Sequence, residues 1–273
     1  MNRGLFIKVN QCIYCGNEGP GLTDEHGIPL GLLPQGEPGL LLRNATCCSC
    51  AKLTSLFERS VLQRLWQPAR AGLGLRSYRR RSRPKSYPLT IVRDSGAEDV
   101  FLPLDQYPAT LQFIEYPPPA FLEGRSHNHG IMVNASRLIQ VAGPPLRELA
   151  ERFSASSFQF KSDFEGLTYE RLLLKIAYCF VIAEPGLGSL EETYILSSIL
   201  GDSEEIGTWL GCDGETQLNS SGFHCVSISV IGREIICRVR LFSRFPTPEY
   251  VIGIGKLKES AAGLVRESKE KYF

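Results

Sequence analysis

Cys12-Ile-Tyr-Cys15 and Cys47-Cys48-Ser-Cys50 constrain this chain more than anything else in it. Two C-x-x-C pairs a few tens of residues apart have the spacing of a four-thiolate zinc site. The Gly-rich stretch from Gly16 to Gly21 supplies the turn that lets the first two sulfurs converge. A unit held by zinc needs little apolar core, because the metal fixes what packing would otherwise have to fix. Between the two pairs stand Glu25-His26 and Asn44, polar groups that a structural zinc ion does not require. The pattern therefore reads as a rigid scaffold carrying a general base.

The remaining five cysteines, Cys48, Cys179, Cys212, Cys225 and Cys237, lie in mostly apolar surroundings and read as small core residues. The first twelve residues, MNRGLFIKVNQC, carry no long apolar run before Asn10 and Gln11, which is not a secretory signal. Leu172 to Ala183 is the most apolar later stretch, but Lys175 interrupts it and it is too short to span a bilayer. A soluble, cytoplasmic protein with no membrane partner is expected, and there thiols favour metal over disulfides.

Net charge is +1, yet the charge is segregated. Residues 1–85 hold 13 Lys and Arg against 5 Asp and Glu, and residues 86–273 hold 17 against 24. The first third thus has the electrostatics of a polyanion-binding module and the rest does not. Arg70, Arg76, Arg79, Arg80, Arg81, Arg83 and Lys85 form a basic run with no acidic residue between Arg59 and Lys85, suited to the phosphate backbone more than to base readout.

With 273 residues there is room for one large or two modest domains. Pro84, Pro88 and the basic run place a boundary near residues 82–90, giving an N-terminal module at 1–85 and an accessory, regulatory or partner-binding domain at 86–273. Strands are expected at 5–11 and 40–43. A helix from Cys50 follows Leu53, Leu56, Phe57, Val61 and Leu65, with Pro68 ending it. The second region reads as strands at 87–93, 100–104, 111–115 and 130–133, then helices at 146–153, 167–184 and around 190–200. Strands return at 223–231, 234–242 and 250–254, before a C-terminal helix over 257–271. Alternation of Ile235, Cys237, Val239 and Leu241 predicts a half-exposed sheet. The fold class is α+β, with a mixed or antiparallel sheet in the larger domain.

Taken in order, Cys12-x-x-Cys15, Glu25-His26, Asn44 and Cys47-x-x-Cys50 resemble the HNH endonuclease family in its zinc-supported form. The resemblance covers residues 8–66 and implies a ββα-metal, treble-clef-like module that hydrolyses DNA phosphodiester bonds, with RNA kept open as substrate. Such hydrolysis needs a deprotonated water and a cation on the scissile phosphate. His26, titrating near neutrality, is the candidate base. Glu25, on the opposite face of an extended backbone, is the candidate ligand for a catalytic Mg²⁺ or Mn²⁺. The resemblance assigns Glu25 the same role and gives Asn44 the task of orienting the loop that carries His26.

The family's second metal ligand would follow the last cysteine, where this chain has Ala51. Ala51, Ser55 and Glu58 share one helix face, so Glu58, with Ser55 as the weaker choice, is the expected substitute. By analogy the chain looks like a bacterial or phage-related restriction or defence nuclease. The rival reading is a non-catalytic zinc module that binds nucleic acid, with residues 86–273 as an assembly platform for a protein partner or a second copy. His127-x-His129 and His224-Cys225 read as surface and packing residues. Gly253-Ile-Gly255-Lys256 lacks the spacing of a phosphate loop.

Overall fold

The computed structural model describes residues 5–77, 84–126, 130–161, 165–214, 222–261 and 271–272. Of the basic run, Arg79, Arg80, Arg81 and Arg83 lie outside these residues, as do His127 and His129.

The chain opens with β1 (Leu5–Lys8), β2 (Thr23–His26) and β3 (Leu40–Thr46). β3 is central, pairing in parallel with β1 and antiparallel with β2. α1 (Cys48–Ser60) follows directly and runs through a π turn at Val61–Leu65 into α2 (Gln67–Gly72). Pro68 does not end a helix as expected; it sits in the first turn of α2. Proline is tolerated there because the N–H it lacks would have had no intrahelical acceptor. The break falls instead at Trp66, which leaves helical geometry at φ −116° and ψ 13°.

The remainder is built from small antiparallel sheets around one long helix. β4 (Tyr87–Arg93) and β5 (Gly96–Leu102) form a hairpin, and so do β6 (Ala109–Glu115) and β7 (Ala135–Ala142). α3 (Leu146–Phe153) leads to β8 (Ser157–Gln159), which joins the free side of β4. α4 (Thr168–Ala183) is buried on nearly every side. After it come β9 (Leu190–Thr193), α5 (Leu196–Leu200), α6 (Ile206–Trp209) and β10 (Leu210–Cys212). The chain ends with β11 (Cys225–Ile231), β12 (Glu234–Arg240), β13 (Tyr250–Leu257) and β14 (Lys271–Tyr272). These make a six-stranded sheet ordered β10-β13-β12-β11-β14, with β9 also on β13.

The α+β class stands, and several strands and both long helices of the second region lie where periodicity placed them. Four details differ. The strand expected at 130–133 forms at Ala135–Ala142. The expected helix at 190–200 divides into a strand and a short helix. β12 is only partly the half-exposed strand expected: Glu234 and Arg238 are half-buried on its second face, but Ile236 and Arg240 are buried there. At the C-terminal end Leu257 completes β13 and Glu259–Ala261 is a single 3-10 turn. Lys271, expected to close that helix, stands in β14, and residues 262–270 lie outside the described residues.

Tyr87, Leu89, Leu102, Tyr107 and Ala109 form a small cluster of their own, while the main hydrophobic core draws on residues on both sides of the boundary drawn near 82–90, from Cys12 to Ala261. Trp66 is its hub. Its indole meets Phe113, Tyr169 and Phe242 at centroid distances of 5.4, 5.6 and 5.2 Å, and its Nε1–H donates to the Gln112 carbonyl. α4 packs against α1 and β3 as well as against β11 to β13, so it links the two parts of the chain. Among the described residues no helix is long and apolar enough to cross a membrane.

Candidate functional site

The four paired cysteines meet. Cys12 and Cys15 lie on the turn after β1, tightened by Gly16 at φ 76° and by its N–H donating to the Cys12 carbonyl. Cys47 caps the N-terminus of α1 and Cys50 stands in its first turn. All four sulfurs lie within 4.8 Å of one another. The Cys15–Cys47 separation of 3.7 Å matches the spacing of about 3.8 Å that zinc–sulfur bonds of about 2.3 Å produce in a tetrahedron. A helix N-terminus favours the thiolate form such a site needs. The cluster fits a structural zinc ion held by Cys12, Cys15, Cys47 and Cys50, and none of the nine cysteines is in a disulfide.

By fixing the start of α1 against the turn, this cluster sets what lies beneath β2. Glu25 points inward from that strand and is buried, while His26 beside it is only half-buried. One Glu25 oxygen accepts from the Thr46 hydroxyl at 2.8 Å. The other lies 2.7 Å from Nζ of Lys175, on α4. The same ammonium lies 2.9 Å from Oε1 of Glu58, on α1, and donates to the backbone carbonyl of His26. Glu25 and Glu58 thus converge as expected, but the cation between them is a lysine. Burial raises the Glu58 pKa, against the opposing pull of Lys175. Burial works to lower the Lys175 pKa, but Glu25 and Glu58 outweigh it and hold the ammonium above its ordinary range.

That arrangement bears on the catalytic metal expected at Glu25 with Glu58 or Ser55. An ammonium has three N–H donors, and here all three point at oxygen acceptors. The space a divalent ion would share between the two carboxylates is filled. Ser55 turns its hydroxyl to the Lys52 carbonyl within its own helix. Residues Glu25, Glu58 and Ser55 as they stand do not fit Mg²⁺ or Mn²⁺.

His26 faces a groove of about 710 Å³ lined by Asp24, Ala51, Ser55, Glu58, Arg59, Arg70 and Arg76, among others. Its Nδ1 is buried and has no hydrogen-bond partner among the described residues. Burial, helped by Lys175, lowers its pKa below the ordinary histidine value. The lowered pKa favours the uncharged imidazole, the form a general base requires.

The other sequence candidates have definite places. Asn44, at φ 51°, takes the Asp24 carboxylate on its backbone N–H and sends its side-chain amide to Asn10. It thus holds the residue two before His26. Arg70 donates to the carbonyls of Gly31, Leu62 and Arg76, and Arg76 to those of Pro34 and Glu37. Both guanidinium groups line the groove while holding its loops together. Lys85 is exposed.

Sequence reasoning missed Lys175 and Thr46. The signal for Lys175 was present: a lone lysine inside an otherwise apolar helix implies a buried acidic partner. No protein-family model, curated protein or solved structure matches this chain.

Proposed function

We propose that this chain acts on nucleic acid, as a phosphodiester-cleaving enzyme of the HNH type with His26 as its general base. The observation that carries the reading is His26 itself. It ends the first strand of a β-hairpin followed by a helix whose first turn carries two of the four clustered cysteines. Its ring borders a groove that arginines line, with a buried Nδ1 that has no partner among the described residues. In this reading His26 takes a proton from the attacking oxygen. Glu25, engaged by Thr46 and Lys175, keeps its strand in place. Asn44 braces the strand through Asp24. Arg59, Arg70 and Arg76 give the groove the positive potential that draws in a phosphate backbone.

One observation favours a second reading, a zinc module that binds nucleic acid without cleaving it. The carboxylates expected to hold a catalytic metal are engaged by Lys175. The two readings part over His26. Plasmid DNA is incubated with zinc-loaded protein, with and without added Mg²⁺ or Mn²⁺, beside His26→Ala protein of equal zinc content. Nicking by the wild type alone identifies the nuclease. No cleavage by either protein, with salt-sensitive DNA binding in both, identifies the binding module.

A further inference from the structure

We propose that Lys175 is the resident cation of the Glu25–Glu58 pair and stands there in place of a divalent metal ion. The proposal goes beyond the functional reading above and holds for either version of it, since it concerns what fills the pair and not what the groove does. Three features carry it. Lys175 is fully buried, so its ammonium has no water to fall back on. Its three donors meet Glu25 Oε1, Glu58 Oε1 and the His26 carbonyl, which leaves none unsatisfied. The second oxygen of Glu25 is taken by the Thr46 hydroxyl, so that carboxylate has a partner on each side.

A divalent ion entering between the carboxylates would have to displace the ammonium into an apolar helix interface or bear its positive charge at contact distance. Either is costly, because a buried charge without a partner is among the least favourable states a folded chain can hold. Lys175 also reaches across from the second half of the chain to the backbone of His26. It is therefore a positioning residue: α4 sets where the strand bearing the imidazole ends. In this site a tethered monovalent cation, supplied by the fold itself, does the work of holding two acidic side chains together.

The test reads metal binding and not cleavage, so its failure is distinct from failure of the nuclease reading. Zinc-loaded wild-type protein is titrated with Mn²⁺, free Mn²⁺ being followed by electron paramagnetic resonance, beside Glu25→Gln and Lys175→Ala. The expected result is no saturable Mn²⁺ site in the wild type and one equivalent in Lys175→Ala, lost again when Glu25→Gln is added. A saturable site in the wild type that Glu25→Gln removes would overturn the proposal. So would a folded, zinc-replete Lys175→Ala protein that gains no site. If Lys175→Ala does not fold, the wild type against Glu25→Gln decides by itself: absence of a Glu25-dependent site supports a resident lysine, and its presence refutes one.

Discussion

Nζ of Lys175 lies 2.7 Å from Oε1 of Glu25, so a helix of the second half of the chain neutralises a carboxylate on the first hairpin, away from water. Together with the half-buried Glu58 this is a three-charge cluster around a buried ammonium, and its energetics are asymmetric. Breaking it from one side leaves charge without a partner, whereas removing all three charges together does not. Lys175→Met alone should therefore cost about 3–5 kcal/mol of folding stability. The triple change Lys175→Met, Glu25→Gln and Glu58→Gln should recover much of that loss. Urea denaturation of the set measures it; a triple variant as unstable as the single one would show that shape, not charge, governs the site.

Zinc should be needed for the first third of the chain to hold its form. Cys12 and Cys50 are buried at the joint between the turn and α1, where the metal would tie the two together. Structural zinc contributes on the order of 10 kcal/mol or more in small sites. Cys50→Ser, or prolonged chelation, should release the ion and expose β1 to β3 to hydrogen exchange. Metal analysis with exchange mass spectrometry follows both, and full protection of β3 in zinc-free protein would contradict the prediction.

What was legible in the sequence was local. Cysteine spacing located the four-sulfur cluster, and helical spacing put Glu58 on the face that meets Glu25. Lys175 was visible only as a flaw in an apolar run, because its partners lie far away in sequence and no local pattern encodes them. Arg70 and Arg76 read as phosphate contacts because charge density is a local property. That their donors serve carbonyls of irregular loops follows from the need to satisfy backbone outside regular structure, which only the fold displays. Pro68 was misjudged for a related reason. A proline ends one helix or begins the next, and Trp66, anchored by Phe113, Tyr169 and Phe242, decides which.

His224 gives the fold a pH dependence of definite sign. Its ring is buried between Nε2–H donating to the Leu32 carbonyl and Nδ1 accepting from the Phe242 N–H, an arrangement only the neutral ring allows. Burial lowers its pKa to about 4 from the ordinary 6.5. Below pH 6.5 the unfolded chain takes up a proton that the folded chain refuses, so stability is complete above that pH and falls until about pH 4. Between pH 6.5 and 5 the loss from this group should be about 2 kcal/mol. Denaturant midpoints across that range, compared with His224→Gln, isolate the contribution from other histidines; equal slopes for the two proteins would exclude it.

Trp66 should be the most costly single residue to truncate in the core. It is fully buried, it stands where the π turn gives way to α2, and its three aromatic neighbours come from β6, from α4 and from the turn after β12. Trp66→Ala should cost roughly 3–5 kcal/mol, from lost burial and the cavity left behind. Trp66→Phe keeps much of the ring packing but strands the Gln112 carbonyl, which accepts the indole N–H at 2.8 Å. An unpaired buried carbonyl costs about 1–3 kcal/mol, so this variant should fall between the wild type and Trp66→Ala. If the two parts of the chain fold as one unit through this residue, both variants will shift a single cooperative transition in denaturant. Two separated transitions in Trp66→Ala would mean that residues on either side of position 85 fold independently, and that the indole merely sits at their border.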